Sequence, residues 1–148
     1  MTTPMHLRVA VLQAVFSEIA TTRMAGLPLC NPALPVEALG FEPVRHADAL
    51  ASGLLPEQAH GLWQPPAAIG VLLTPWFMNL VWLPLQRDDA LQPPGHATAL
   101  LLGGHRLQFI TAHEPALGSF GACSLFSPMQ DFSDAATARD TALAVLEA

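Results

Sequence analysis

The sequence predicts an α+β domain, with a mostly antiparallel sheet of five or six strands and one helix near each end of the chain. Apolar residues recur at helical spacing at both ends, and short strand-like runs separated by turn residues lie between them. Strands in a run with helices outside them favour an antiparallel sheet. The 148 residues predict a single domain over residues 1–148, and 51% apolar against 12% charged residues excludes disorder of the whole chain.

The first helix is predicted from Thr3 and Pro4, a helix-capping residue followed by proline at the first helical position. Its apolar face repeats every three or four residues, through Met5, Val9, Leu12, Phe16 and Ile19. Glycine is common just past a helix, so we predict an end near Ala25–Gly26. The next segment, 27–35, contains three prolines and is predicted to be irregular.

The middle of the chain raises the question of a membrane span. Residues 67–85 are 19 residues in which Thr74 and Asn79 are the only polar side chains, close to the length of a transmembrane helix. Pro75, the branched and aromatic content, and the lack of an arginine-rich flank favour two buried strands instead, Ala67–Thr74 and Phe77–Leu83. Before them we predict a strand at Glu37–Val44 and a loop at 45–66 with a short helical turn around 47–54.

Three further strands and a helix complete the prediction. A surface loop at 86–96 precedes strands at Ala97–Leu102, Arg106–His113 and Ser119–Phe126, and Gly103–Gly104 is typical of a tight hairpin turn. Ser133 and Asp134 are N-cap candidates for a last helix at 135–147. Its small apolar face consists of Ala138, Ala142, Val145 and Leu146.

Charge and targeting features exclude several functions. The sequence has twelve acidic residues, six arginines and no lysine, which gives a net charge of −6. Binding to nucleic acid is therefore disfavoured, and a lysine Schiff base or a P-loop is excluded. The N-terminus has no long apolar stretch with a cleavage site, so we expect a cytoplasmic protein.

No metal site or cofactor is predicted. The histidines have none of the usual ligand spacings, and they are His6, His46, His60, His96, His105 and His113. Cys123, expected opposite Phe109 or Ile110, leaves one alternative open, a small Cys/His-dependent hydrolase or thiol-handling enzyme. A third hypothesis is that Cys30 and Cys123 together hold an iron–sulfur unit transiently.

Two apolar segments at predicted turns stand out, TPWFMN (74–79) and CSLFSPM (123–129). Adjacent strand residues point to opposite faces, so one of Trp76 and Phe77 is predicted to be core and the other exposed. Both segments are either simply core or an exposed patch for a protein partner.

These segments also carry a resemblance. TPWFMNLVWLP (74–84) and CSLFSPM resemble signature blocks of the HybE/HupJ family of nickel–iron hydrogenase assembly chaperones, and RMAGLPLCNPALPVEALGF (23–41) is similar to an earlier block of that family. The matching blocks lie in order and span about Phe16 to Phe132. Cys-x-x-Cys pairs are absent, so the rubredoxin-like domain found in some relatives is not part of this sequence.

The resemblance implies a cytoplasmic accessory protein without catalytic residues. Its expected client is the hydrogenase small-subunit precursor, alone or with the large subunit, before export through the twin-arginine pathway. The negative charge would steer a basic signal segment toward the protein. No nucleic-acid partner and no membrane span are expected. The predicted partner-binding residues are Trp76, Phe77, Met78, Asn79, Cys123, Phe126, Ser127, Pro128 and Met129.

Overall fold

The computed structural model describes residues 4–44, 66–87, 94–102, 105–127 and 129–147. Helix α1 covers Met5–Thr21, and helix α2 covers Ala135–Glu147 near the other end of the chain. The strands between them are β1 (Glu37–Val44), β2 (Ala67–Leu73), β3 (Met78–Pro84), β4 (Ala97–Leu102), β5 (His105–Glu114) and β6 (Gly118–Phe126). Strands β4 to β6 and helix α2 lie where the sequence predicts them, within one residue at each end.

The strands form one antiparallel sheet in the order β1-β2-β3-β6-β5-β4. The predicted fold class, a mostly antiparallel sheet of five or six strands with an N-terminal and a C-terminal helix, is confirmed, and the number of strands is six. Strands β2 and β3 lie inside the sheet, and nearly every residue of both is buried. This explains the long apolar run, because strands covered on both faces need no polar alternation. Among the described residues no helix is long and apolar enough to cross a membrane.

Each helix covers a different face of the sheet, and neighbouring residues of a strand point alternately toward one helix and the other. On the α1 face, Leu12 and Phe16 pack with Leu72, Val81, Leu83, Leu117 and Phe120. On the α2 face, Ala138 and Ala142 pack with Val71, Leu73, Leu80, Trp82 and Phe109. The small residues of α2 allow the close helix–sheet approach that their sequence predicts.

Helix α1 departs from its prediction at both ends. Pro4 occupies the N-cap position rather than the first helical one, and Thr3 lies outside the described residues. The helix ends at Thr21 rather than near Gly26. The hydroxyls of Thr21 and Thr22 both donate to the Glu18 carbonyl, at 3.1 and 2.7 Å. Such hydroxyl bonds satisfy carbonyls of the last turn and compete with helix continuation. The left-handed Gly26 (φ 74°) belongs to the following turns.

A buried arginine on the inner face of α1 was not predicted. Arg8 is only 6% exposed. Its Nε donates to the Pro84 carbonyl at 2.9 Å, and its Nη2 donates to the Leu117 carbonyl at 2.8 Å. One side chain thereby joins α1, the end of β3 and the turn before β6. Burial, and to a smaller extent the charge of Arg87, lowers the pKa of the Arg8 guanidinium.

Strand β1 contains a bulge that determines how the edge of the sheet packs. Leu39 pairs with Val71 and Glu42 with Ile69, so Gly40 and Phe41 together lie opposite Gly70. Gly40 has φ +63°, the left-handed conformation of the first residue in a glycine-type bulge. The extra residue turns Phe41 toward the α1 face, where its ring lies directly over Gly70.

Helix α2 is fixed at its start by two polar contacts. Asp134 accepts a 2.8 Å hydrogen bond from the Thr137 amide, which confirms Asp134 as an N-cap and lowers the pKa of its carboxyl. Arg139 donates through two nitrogens to the Glu37 carboxylate of β1, and these hydrogen bonds lower the pKa of Glu37. The predicted helical turn at 47–54 and the Gly103–Gly104 turn lie outside the described residues, as does part of the 86–96 loop.

Candidate functional site

The TPWF turn joins β2 to β3, and Thr74 holds it together. The Thr74 hydroxyl accepts hydrogen bonds from the amides of Trp76 (3.2 Å) and Phe77 (3.0 Å). The Thr74 amide donates to the Phe77 carbonyl at 2.9 Å. Thr74 itself is fully buried. A threonine at this position therefore fixes the backbone that presents both aromatic side chains.

Trp76 and Phe77 do not separate into one core and one exposed residue, so that prediction is wrong. Both are half-buried and their rings lie 5.6 Å apart, edge to face. The alternation of faces applies to strands, whereas these residues belong to a turn. Phe77 also packs edge to face on Phe16 of α1, with ring centroids 5.8 Å apart. Both rings are supported from below by the α1 face of the sheet and keep an exposed surface.

The CSLF segment ends β6 at the same end of the sheet. Met78 pairs with Phe126 and Asn79 with Ser124, so Leu125 is an extra residue in a second bulge. Phe126 is 40% exposed, although its ring packs edge to face on Phe132 with centroids 5.4 Å apart. Bulges often redirect a side chain near functional sites. Here the bulge leaves a large aromatic side chain at the surface next to the start of β3.

A third segment, residues 24–34, crosses this end of the molecule; we call it the strap. Its residue Asn31 is 8% exposed and donates from its backbone amide to the Pro75 carbonyl at 2.7 Å. The Asn31 Nδ2 group donates to the carbonyls of Met129 (3.0 Å) and Phe132 (2.8 Å). The strap thus brings together all three blocks on which the family resemblance rests.

We use the name apolar end for six apolar side chains that the strap, the TPWF turn and the segment after β6 leave partly or fully exposed: Leu27, Leu29, Trp76, Phe77, Phe126 and Phe132. Trp76 and Phe77 pack with the α1 face of the sheet, and Phe132 packs with the α2 face. Leu27 and Leu29 are 39% and 44% exposed on the strap. They lie next to Pro28, whose carbonyl accepts a 3.1 Å hydrogen bond from Gln130. The sequence does not predict Leu27, Leu29 and Asn31 as site residues, because a segment with three prolines indicates an irregular connection. The feature of the sequence that points to this segment is the Asn31-Pro32 pair, which lies inside the resemblance block 23–41.

The predicted partner-binding residues divide into surface and core. Phe126 and Ser127 are exposed, and Trp76, Phe77 and Asn79 are half-buried. Met78 and Met129 have no exposed surface and Cys123 is only 8% exposed, because the sheet, the strap and α2 enclose them. These three cannot contact a partner directly in this conformation. Pro128 lies outside the described residues.

The environment of Cys123 disfavours nucleophilic chemistry. Its neighbour Ala122 pairs with Ile110 of β5, in agreement with the predicted position of the cysteine, and Leu80 of β3 faces it on the other side. The thiol lies among apolar side chains, and this burial raises its pKa. A raised pKa favours the neutral thiol, whereas a reactive cysteine needs the thiolate.

We expect Cys123 to be nearly inert toward iodoacetamide in the folded protein. At pH 8 its alkylation should be about a hundredfold slower than in urea, because reagent and hydroxide reach it only after local opening. A Cys30→Ser variant isolates the Cys123 signal for mass spectrometry. Alkylation of Cys123 at the same rate in the folded and the unfolded protein would restore the thiol-enzyme alternative.

Two cavities among the described residues lie away from the apolar end. One cavity of about 250 Å³ lies beside the Arg23–Glu114 ion pair, whose 2.8 Å contact already satisfies both charges. Another, of about 450 Å³, is lined by Ala97, Ala99, Arg106 and Gln108. Neither cavity touches the apolar end. In the portions of the chain described above, no cluster of His, Cys, Asp and Glu has a geometry that could hold a metal ion.

Large apolar side chains that stay partly or fully exposed at one end of a sheet are typical of a protein-binding domain. The family model for the NiFe-hydrogenase assembly chaperone HybE matches residues 7–148. The chain therefore belongs to the HybE family of nickel–iron hydrogenase assembly chaperones. The family predicted from the three sequence blocks is confirmed.

Similar proteins agree with this assignment. Protein HoxT of Cupriavidus necator is 41% identical over 145 residues, which cover 94% of this chain and 73% of HoxT. The hydrogenase expression/formation protein HupT of Azotobacter chroococcum is 39% identical, with 96% of this chain and 80% of HupT covered. The solution structure of HybE from Escherichia coli has the same fold, with a TM-score of 0.63 and 20% identity, over 99% of this chain and 76% of that one.

Proposed function

We propose that this protein is a cytoplasmic chaperone that binds the small-subunit precursor of a nickel–iron hydrogenase through the apolar end. Membership of an assembly-chaperone family supports the hydrogenase as client, and relatives are named hydrogenase expression/formation proteins. The fold adds a surface with which such a client could be held. The protein acts by binding, without a catalytic step and without a cofactor of its own.

The observation that carries the proposal is that large apolar side chains stay partly or fully exposed while packed on other aromatic rings. Phe126 rests on Phe132, and Trp76 and Phe77 rest on each other and on Phe16. Aromatic side chains held in this way lose little conformational entropy on binding, and they are enriched among residues that dominate binding energy. An immature subunit exposes apolar surface that is later buried, and these rings would cover that surface until then.

Charge complementarity supports the precursor form as the client. The net charge of −6 attracts basic segments over the range of a Debye length, about 8 Å at physiological salt. A twin-arginine signal segment combines arginines with an apolar stretch. We propose that such a segment is steered by charge and then held by the apolar end, in the cytoplasm and before export.

We expect Trp76→Ala and Phe126→Ala each to weaken binding of the purified precursor about tenfold, a typical cost for an aromatic interface residue. The matched control is Leu7→Ala, which removes a large apolar side chain that is more exposed (49%) than either aromatic residue and lies on the outer side of α1. Affinities should be measured by biolayer interferometry on variants whose thermal unfolding remains cooperative. Wild-type affinity of both aromatic variants would contradict the assignment of the apolar end.

The same instrument identifies the part of the client that is recognised. The precursor is presented with and without its twin-arginine signal segment. Binding of only the signal-bearing form assigns recognition to the signal. Equal binding of both forms assigns it to the immature subunit body. If neither form binds, the proposed small-subunit client is wrong and the large subunit becomes the next candidate.

A further inference from the structure

Asn31 connects three segments that are distant in sequence, and each of its polar groups is used. The backbone amide donates to the Pro75 carbonyl in the TPWF turn, and the backbone carbonyl accepts from the Leu34 amide at 3.1 Å. The side-chain nitrogen donates to the carbonyls of Met129 and Phe132. The side-chain oxygen accepts from the Ala33 amide at 3.0 Å. The residue is therefore fully satisfied while almost wholly buried.

This set of contacts requires an amide of this length. Two main-chain carbonyls converge on one NH₂ group, and each needs a donor because a buried unpaired carbonyl is costly. Aspartate would place one carboxylate oxygen against both carbonyls in place of the NH₂ group. Alanine would leave both carbonyls without their donor and would also release the Ala33 amide. Aspartate retains the acceptor for Ala33, so the two substitutions separate the donor role from the acceptor role.

The segments joined by Asn31 are the ones that carry the apolar end. Leu27 and Leu29 precede it on the strap, Pro75 precedes Trp76, and Phe132 supports the exposed Phe126. We propose that Asn31 is the positioning residue of this surface, holding its three parts in one arrangement so that the client meets a preformed site. The inference rests on the proposed docking function and adds the residue that organises it.

The proposal is tested with Asn31→Asp and Asn31→Ala against the purified small-subunit precursor. Both variants should bind about tenfold more weakly, because the donors are lost in both and the client must then order the surface itself. Hydrogen exchange should be faster at 129–132 in both variants. Faster exchange at Ala33 is expected only in Asn31→Ala.

Two controls separate positioning from general loss of stability. Gln86→Glu makes the same amide-to-acid change at an exposed site beyond the far end of β3, and it should bind like the wild type. Arg8→Met lowers stability from that same far end, and it should also bind normally while folded. If the Asn31 variants lose affinity and Arg8→Met of comparable stability does not, Asn31 has a role in positioning rather than in folding alone.

Gln130→Ala keeps the test decisive if the Asn31 variants do not fold. It removes the neighbouring link between the strap and the 129–132 turn and leaves no buried polar group, so binding should weaken about two- to threefold. Folded Asn31 variants with wild-type affinity would overturn the positioning role, as would unchanged binding by Gln130→Ala when the Asn31 variants do not fold. Wild-type binding by Trp76→Ala and Phe126→Ala would overturn the docking site itself, so the two failures are distinguishable.

Discussion

Replacing Arg8 with Met is expected to lower the free energy of unfolding by about 2 to 3 kcal/mol. The substitution keeps the packing of the aliphatic stem but leaves the carbonyls of Pro84 and Leu117 without their donors. A buried unsatisfied carbonyl costs about 1 to 3 kcal/mol, and relief of the desolvated charge returns part of that cost. Urea denaturation monitored by circular dichroism measures the change directly.

Arg8→Lys provides the matched comparison. It retains a cation, but a single ammonium cannot reproduce the two bonds that the guanidinium fork makes from separate nitrogens. We expect a loss of about 1 to 2 kcal/mol, between the wild type and Arg8→Met. If Arg8→Met were as stable as the wild type, the cost of burying the guanidinium would equal the value of its two bonds. The role of Arg8 in joining α1 to the sheet would then be refuted.

Replacing Gly70 with Ala is expected to cost about 3 kcal/mol, which corresponds to a fall of about 10 °C in Tm for a chain of this size. A Cβ at Gly70 would collide with the ring of Phe41 and would lie 2.8 Å from the Phe41 Cα. Alanine normally stabilises a strand position relative to glycine by about 0.5 to 1 kcal/mol. Gly70→Ala is therefore expected to lower the stability, whereas the same substitution usually raises it, because the added Cβ collides with Phe41.

A double-mutant cycle with Phe41→Ala isolates this contact. With the ring removed, Gly70→Ala should cost less than about 1 kcal/mol, and the remaining cost should come from the nearby Phe41 backbone. Thermal unfolding of the wild type, the two single variants and the double variant gives the coupling energy. An unchanged cost of Gly70→Ala in the Phe41→Ala background would show that the ring does not enforce the glycine.

The first of these predictions also bears on function, because Arg8 lies away from the apolar end. Arg8 contacts Pro84, the last residue of β3, whereas the apolar end surrounds Met78, its first residue. Folded variants at Arg8 should therefore retain affinity for the hydrogenase precursor. This makes them useful references for Trp76, Phe126 and Asn31, where affinity rather than stability is expected to respond.

The sequence alone determined the fold class, the family and most element boundaries. The apolar run 67–85 predicted two strands buried on both faces, because proline and β-branched residues do not suit a continuous helix. The last helix was predicted at 135–147, with Asp134 as a cap, and both are observed. These features follow from local preferences and from apolar periodicity, which act along the chain.

Only the tertiary structure decided which of the motif residues face solvent. Met78 and Phe126 are paired across β3 and β6, yet one is buried and the other exposed, because a bulge and the strap shape that end of the sheet. The end of α1 also moved from its predicted place, because threonine hydroxyls completed the last turn. The roles of Arg8 and Asn31 depend on carbonyls about 70 to 110 residues away. Contacts of that kind leave no period in the sequence, since the fold rather than the chain brings the partners together.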